Sequence, residues 1–490
     1  MEAAHAAAGS QEIRTDDVNA GARADAKAGR GGTSVCAICE AHELHKSEPE
    51  PLRITRRGFM ISAIDDRKYM RRAIALAKAG EGWVHPNPLV GAVIVKDGRV
   101  IGEGYHRKFG ELHAERNAIA SLTEPADGAT IYVTLEPCCH YGKTPPCTEA
   151  IIENRIARVV IGSRDPNPLV AGKGAAILRE AGIEVEEDFL REECDAINPV
   201  FFHYITEKTP YVIMKYAMTA DGKIATKTGA SKWITGPAAR EEVHRIRHAC
   251  MGIMVGIGTV LADNPMLNCR METDCGDESI LSVRQPIRII CDSHLRISAD
   301  SQICRTAREY ETIVVCADSA LPVGEIVMDD LSKEIAAEYP AGEITVSNPS
   351  GEASDHPTGF DPQERQEQMS MKIRQLQQLG ITVMNVPEPN SARVDLRQLM
   401  QLLGERGIDS ILLEGGSVLN DSALRAGIVS EVRAFVAPKL FGGTAMSPVE
   451  GIGIEQPDEA IRMKLIEAEM FGEDLMLRFS VMNMGTESTD

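Results

Sequence analysis

Val90-Gly-Ala-Val-Ile-Val95 and Val100-Ile-Gly-Glu-Gly-Tyr105 flank Lys96-Asp97-Gly98-Arg99, two apolar runs around an Asp-Gly pair. Asp-Gly is the strongest short-range hairpin signal, because the tight turn between twisted strands needs positive φ at both central residues. Two antiparallel strands are therefore predicted. Upstream, Tyr69, Met70, Ile74, Leu76 and Ala77 recur as an approximate helical stripe between Asp66 and Lys78. Downstream the pattern alternates: helix at about 113–122, strand Thr130 to Leu135, helix at about 147–155, strand Arg158 to Gly162, helix at about 172–181, strand Ile183 to Glu187. Such alternation predicts an α/β layer sandwich.

After the polar stretch Thr206-Glu-Lys-Thr-Pro210 a second α/β run begins with a strand from Tyr211 to Met218. Its helices are expected at about 237–249 and 395–405. Its further strands are Gly252 to Val255, Ile287 to Cys291, Thr312 to Cys316, Ile381 to Asn385, Ser410 to Leu413 and Glu431 to Ala437. The boundary is placed near 207, giving domains over 61–206 and 207–485. Two polar, aperiodic stretches, about 271–283 and 346–372, read as surface insertions in the second domain.

Residues 1–60 are rich in Ala, Gly and charge and show no periodicity that could bury a core, so a disordered extension is expected. Met60 offers an alternative start of translation. Cys36, Cys39, His42 and His45 are zinc-type ligands, but their spacing leaves no intervening structure to fold the second pair back onto the first. Arg56-Arg57-Gly58-Phe59-Met60 has the look of a twin-arginine export signal, yet Asp65, Asp66 and Arg67 follow where an apolar core should run.

The 490 residues suggest two or three domains. With 52 Lys+Arg against 72 Asp+Glu, a formal charge of −20 argues against binding a phosphate backbone and points to small-molecule chemistry. No window holds the 18 or so apolar residues of a membrane-spanning helix, so no membrane partner is expected. Twelve cysteines spread through the chain fit reduced thiols and metal ligation better than a disulfide scaffold, which favours the cytoplasm.

The chemistry concentrates at His113-Ala-Glu115, Pro137-Cys138 and Pro146-Cys147, expected at two helix starts separated by one strand. A catalytic zinc takes three protein ligands and leaves its fourth position to water, and His113, Cys138 and Cys147 fill those three places. His113 and Glu115 converge only if they sit in a helix's first turn. Thr144-Pro145-Pro146 makes a helix entry that places Cys147 where backbone N–H groups favour a thiolate. Glu115, left unligated, can shuttle protons in a hydrolytic deamination. His-x-Glu with Pro-Cys-x-x-Cys is the signature of zinc deaminases. The departure is the cysteine spacing, with eight residues between Cys138 and Cys147, and it leaves Cys139 a bystander.

Together with these, His85-Pro-Asn-Pro-Leu-Val-Gly91, Gly142-Lys-Thr-Pro-Pro-Cys147 and Asp165-Pro-Asn-Pro168 resemble the bifunctional riboflavin-biosynthesis deaminase/reductase family. Met218-Thr-Ala-Asp-Gly-Lys223, Ser231-Lys-Trp-Ile-Thr235, Gly258-Thr-Val-Leu-Ala-Asp-Asn-Pro265 and Leu413-Glu-Gly-Gly416 resemble its reductase half. The resemblance covers about 60–483, outside the two insertions. It implies a cytidine-deaminase-like α/β/α sandwich followed by a dihydrofolate-reductase-like α/β domain. One zinc and NADPH are the implied cofactors, and a homo-oligomer is the expected assembly. The implied reactions are deamination of a diamino-pyrimidinone carrying a phosphoribosylamino group, then reduction of the ribosyl chain to ribityl.

Residue by residue, the resemblance implies substrate contacts of the first site at Asn87, His106, Lys143 and Asn167, with Lys143 and His106 able to neutralise a phosphate. Each Asn sits in Pro-Asn-Pro, where it is equally a turn former. In the second half the nicotinamide cofactor falls to Ala217, Trp233, Thr259, Asp263, Ser293 and Gly416, Ser417, Val418, Leu419, Asn420, Asp421, Ser422. The substrate falls to Ser231, Arg247, Leu267, Arg270 and Glu414. Arg247 and Arg270 suit a phosphate clamp, or else are solvated charges. Lys215 stays open between polarising the sugar and a structural ion pair. Two other readings share the zinc core: a nucleic-acid deaminase, which the charge opposes, and a non-catalytic zinc scaffold, which an open coordination position opposes.

Overall fold

The computed structural model describes residues 63–271, 283–326 and 362–482. The N-terminal extension with its Cys36 to His45 cluster lies outside the described residues, as do most of the first expected insertion and the second one up to residue 361. Among the described residues no helix is long and apolar enough to cross a membrane.

The first half runs α1 (Ala63–Lys78), β1 (Gly91–Lys96), β2 (Arg99–Tyr105), α2 (Ala114–Ala120), β3 (Thr130–Leu135), α3 (Cys147–Glu153), β4 (Arg158–Ser163), α4 (Lys173–Glu180) and β5 (Glu184–Glu186). Its strands form one sheet in the order β2-β1-β3-β4-β5. The Asp-Gly hairpin forms as the sequence predicts, with φ of 50° at Asp97 and 75° at Gly98. β3 and β4 are buried along their whole length, as central parallel strands covered on both faces must be. Alternation then sorts the core. Ile131, Val133, Val159 and Ile161 face Ala114, Ala118, Ile151 and Leu178 on one side, while Tyr132 and Val160 meet Tyr69, Met70 and Ala73 of α1 on the other.

Two short helices, α5 (Arg191–Asp195) and α6 (Pro199–Glu207), lead into the second half. There follow β6 (Tyr211–Thr219), α7 (Pro237–Ala249), β7 (Gly252–Gly256), α8 (Ile257–Asp263), β8 (Ile287–Cys291), α9 (Gln302–Arg305), β9 (Thr312–Cys316) and β10 (Gly324–Glu325). The rest is α10 (Pro362–Gln378), β11 (Thr382–Asn385), α11 (Leu396–Glu405), β12 (Ser410–Leu413), α12 (Ser417–Arg425), β13 (Val429–Ala437), β14 (Met463–Phe471) and β15 (Asp474–Val481). Ten strands form a single sheet, β10-β11-β9-β8-β7-β12-β6-β13-β15-β14. The seven from β11 to β13 run parallel, with antiparallel strands at both edges.

One expectation is corrected. The stretch read as an aperiodic insertion to residue 372 ends in α10, whose Ile373 and Leu376 are fully buried against the sheet with Met369 packed beside them. Apolar residues at 369, 373 and 376 are one helical stripe, diluted below notice by six glutamines within the helix segment Pro362–Gln378.

Close helix–strand contact in the first half depends on missing side chains. A Cβ at Gly91 would lie 2.0 Å from the carbonyl oxygen of Ala73 in α1, and one at Gly104 only 2.3 Å from the Ala118 nitrogen in α2. Both neighbours are backbone and cannot swing away. Gly91→Ala is expected to destabilise the first half by about 1–3 kcal/mol through overpacking, read as a lower urea midpoint.

Candidate functional site

β1 is antiparallel to both β2 and β3, so β2 and β3 run the same way and the helices that follow them start at the same edge of the sheet. His113 is the residue before α2, Cys138 lies in the loop after β3 and Cys147 is the first residue of α3. One ligand atom from each falls within 4.8 Å of the other two. His113 Nδ1 is 3.4 Å from Cys138 Sγ and 3.5 Å from Cys147 Sγ. Tetrahedral zinc, with Zn–S of about 2.3 Å and Zn–N of about 2.0–2.1 Å, requires an S to N separation of roughly 3.6 Å. The donor set and its spacing fit zinc.

The electrostatics agree with that fit. Hydrogen bonds from the Cys147 thiol, His113 and the Cys147 backbone N–H pull the Cys138 thiol down to about 4, against the opposing effect of burial. The same contact, with burial and the nearby Glu115, pushes Cys147 well above the ordinary thiol range. Two adjacent thiolates repel each other unless a cation joins them, and a divalent ion removes that obstacle. Glu115, second in α2, is 3% exposed. Burial pushes its carboxyl up to about 7, with Cys138 adding to the shift and His113 opposing it. Cys139 stands apart from the cluster, its thiol donating to the Leu169 carbonyl at 3.7 Å.

His113, Glu115 and Cys138 open into a cavity of about 260 Å³ whose wall also includes Asn87, His106, Lys143 and Asn167. All four expected substrate residues of the first site thus meet at the metal cluster. The Lys143 ammonium lies 3.9 Å from the centre of the Phe109 ring. Asn167 is a turn former as well, its Oδ1 accepting from the Leu169 N–H at 3.1 Å. His106 requires a correction. It is 2% exposed, and burial lowers its proton affinity. Its Nδ1 donates to the Leu112 carbonyl at 3.1 Å, leaving Nε2 to accept from the Asn87 amide at 3.1 Å. A neutral, doubly engaged ring orients Asn87 instead of neutralising a phosphate. Phe109, His140 and Asp165 also line the cavity and went unassigned in the sequence. Asp165 had a signal, its place in Asp-Pro-Asn-Pro.

In the second half the residues expected to hold the cofactor gather at the carboxyl edge of the parallel strands, where open α/β sheets bind ligands. Ala217 is near the end of β6, Thr259 and Asp263 are in α8, and Ser293 follows β8 by two residues. Gly416 to Ser422 open α12. A Cβ on Gly416 would touch Thr259 Oγ1 at 3.5 Å, so the α8 and α12 entries are adjacent. Trp233 is 65% exposed with the Arg240 guanidinium 4.6 Å from its ring, and Lys232 pairs with Asp263 at 3.8 Å. Ser231 is half-buried in the loop before α7, Leu267 is buried at a φ of 51°, and Arg270 is exposed.

Arg247 is not an uncommitted phosphate clamp. Its Nε and Nη2 donate to the two carboxylate oxygens of Glu414 at 2.8 and 2.9 Å, and Nη1 donates to the Asn268 carbonyl at 3.0 Å. Lys215 Nζ reaches the same carboxylate at 3.4 Å. Although burial opposes ionisation, Arg247 and Lys215 hold Glu414 well below the usual carboxylate range. The sequence marked all three residues without revealing that they form one cluster.

The fold and the two sites define a zinc-binding deaminase unit joined to a reductase-type α/β unit. Residues 63–163 match the cytidine and deoxycytidylate deaminase zinc-binding region, and residues 210–324 and 358–477 match the RibD C-terminal domain. The riboflavin biosynthesis protein RibD of Actinobacillus pleuropneumoniae is 51% identical over 419 residues, covering 85% of this chain and 96% of that protein. RibD of Escherichia coli strain K12 is 36% identical over 84% of this chain and 99% of that protein. The solved structure of a Thermotoga maritima diaminohydroxyphosphoribosylaminopyrimidine deaminase/5-amino-6-(5-phosphoribosylamino)uracil reductase superposes with a TM-score of 0.65 at 34% identity, covering 86% of this chain and 99% of that one. The chain belongs to the RibD family of riboflavin biosynthesis proteins.

Two measurements check these sites. Zinc analysis of the purified chain is expected to find about one ion per chain, lost in Cys147→Ser. Glu414→Ala leaves two buried cations unpaired and is expected to destabilise the second half by about 3–5 kcal/mol, read by denaturant unfolding.

Proposed function

We propose that this chain catalyses two consecutive steps of riboflavin biosynthesis. The first is hydrolytic deamination of 2,5-diamino-6-(5-phosphoribosylamino)pyrimidin-4-one to 5-amino-6-(5-phosphoribosylamino)uracil. The second is reduction of the ribosyl side chain to ribityl by NADPH. The observation that carries this reading is the His113–Cys138–Cys147 cluster, whose His113 and Cys138 open with the unligated Glu115 into one cavity with Asn87, Lys143 and Asn167.

His113, Cys138 and Cys147 hold the zinc, which when bound supplies activated water at neutral pH. Glu115 takes a proton from the attacking water and passes it to the ring nitrogen beside the attacked carbon. It then takes the remaining proton of the hydroxyl added to that carbon and gives it to the departing amino group, so that the C–N bond breaks, the carbonyl forms and ammonia leaves. The Asn87 and Asn167 amides offer both donor and acceptor to the pyrimidine edge, and Lys143 attracts the phosphate. Burial of Glu115 keeps its proton transfers out of bulk water.

For the second step the nicotinamide supplies the hydride. Thr259 and the backbone N–H groups at the start of α12 face the cofactor's phosphates, and Trp233 and Asp263 flank it. The Lys215–Glu414–Arg247 cluster gives the sugar a fixed array of charges without reorganisation, while the exposed Arg270 guanidinium meets the substrate phosphate. Nine unpaired cysteines among the described residues suit the reducing cytoplasm, where NADPH is supplied. A homo-oligomer is the favoured assembly, because the edge strand β14 leaves Leu465, Ile466 and Met470 exposed.

The test couples ammonia release from the diamino-pyrimidinone phosphate to loss of NADPH absorbance. Wild type is expected to give both signals. Glu115→Gln should keep its zinc and lose ammonia release by at least a hundredfold, on the order of the contribution of general acid–base catalysis, yet still oxidise NADPH when given the deaminated compound. Ammonia release retained by Glu115→Gln, or none from wild type with this substrate, would overturn the reading.

A further inference from the structure

The segment joining α1 to β1 is seated on the other half of the chain. His85 Nδ1 lies 2.6 Å from Oδ2 of Asp409, and its Nε2 lies 2.7 Å from the carbonyl oxygen of Ala249. Both partners are acceptors, so the ring is held at both ends in one orientation. Asp409 is 324 residues away in the sequence, just before β12, and Ala249 is the last residue of α7. The His85 and Asp409 side chains are 11% and 2% exposed, shielded from competing water. Asp409 is itself fixed, with its Oδ1 accepting from the Ser410 hydroxyl at 2.6 Å. Beside it, Trp83 meets the His248 ring edge-on at 5.3 Å, and a Cβ on Gly82 would lie 2.5 Å from His248 Nε2.

The same segment reaches the cavity at its other end. Asn87, two residues after His85, lines the cavity and donates to His106 Nε2. The Trp83 carbonyl accepts from the N–H of Phe109, another wall residue, at 3.0 Å. Asp409 lies at the amino end of β12, whereas Glu414 and Gly416 lie beyond its carboxyl end. It is therefore remote along the strand from the cofactor edge and close, through one imidazole, to the deaminase cavity.

We propose that Asp409, although part of the reductase half, is a positioning residue for the deamination, acting through His85 on Asn87 and so on the pyrimidine. This rests on the reading of Asn87 as a substrate contact. Displacing a substrate-holding group by even 1 Å costs up to about a hundredfold, and one loosened contact of several should cost about tenfold in KM.

The test uses the full-length, zinc-loaded chain with Asp409→Asn, His85→Gln, the two combined, and Asn87→Ala. Asp409→Asn is expected to raise KM for the diamino-pyrimidinone phosphate about tenfold, with kcat and zinc content within twofold of wild type. KM and kcat for NADPH reduction of the already deaminated compound should also stay within twofold. His85→Gln should reproduce this from the other side of the contact, and the combined variant should cost no more than the larger single change, since both remove one interaction. Unchanged deamination KM in both single variants would overturn the proposal. So would equal losses in both activities, which would mark the contact as merely structural. Asn87→Ala separates the two readings. An unchanged KM there removes Asn87 from the substrate site and the proposal with it. A raised KM there, with none in Asp409→Asn, defeats the positioning role alone.

Discussion

One imidazole nitrogen and two sulfurs gathered within 4.8 Å demand that three separate chain segments end at one point, and the first half is arranged to meet that demand. The hairpin reverses the chain once, so that β2 and β3 run in the same sense and α2 and α3 both start at one sheet edge. Gly104 lets α2 lie directly on β2, since any side chain there would strike the Ala118 backbone. The helix starts then deliver His113 and Cys147, the Cys147 N–H donating to Cys138 Sγ at 3.3 Å, and the short loop after β3 brings Cys138 between them. Glu115 follows His113 on the same first turn, so the proton carrier is placed by the element that places the metal ligand.

The second half faces a different constraint, which is how to keep charge available in a mostly buried cluster. Glu414, Arg247 and Lys215 neutralise one another in part, leaving one net positive charge within the cluster. Removing Glu414 exposes both cations to the full cost of burial, whereas removing Lys215 leaves the Arg247–Glu414 pair joined. At the level of the whole molecule the charge of −20 disfavours long polyanions. A single phosphate needs only a local cation, the role proposed for Lys143 at one site and for Arg270 at the other.

Much of this was legible in the sequence. Asp97-Gly98 announced the hairpin through its turn chemistry, and the His113, Glu115, Cys138 and Cys147 pattern announced the metal cluster through ligand type and order. The illegible parts share a cause, namely that they depend on tertiary surroundings. His106 reads as a cation until burial and the Asn87 amide make it a neutral acceptor. Arg247 reads as a phosphate ligand until Glu414 takes two of its three nitrogens and the Asn268 carbonyl the third. α10 hides its stripe under glutamines, and β14 is exposed along almost all of its length, so neither strand nor helix period marks it as part of a core.

The position of β6 has a consequence for how the chain is made. It is the first strand of its sheet in sequence, yet its neighbours are β12 and β13, which begin at Ser410 and Val429. As the chain leaves the ribosome, the first sheet is complete once Glu186 has emerged, while β6 waits for some two hundred further residues before either flank is covered. Asp409, which anchors His85, arrives at the same late moment. The N-terminal unit therefore folds early around its own core, and the segment joining α1 to β1 gains its Asp409 contact only after about five-sixths of the polypeptide has been synthesised.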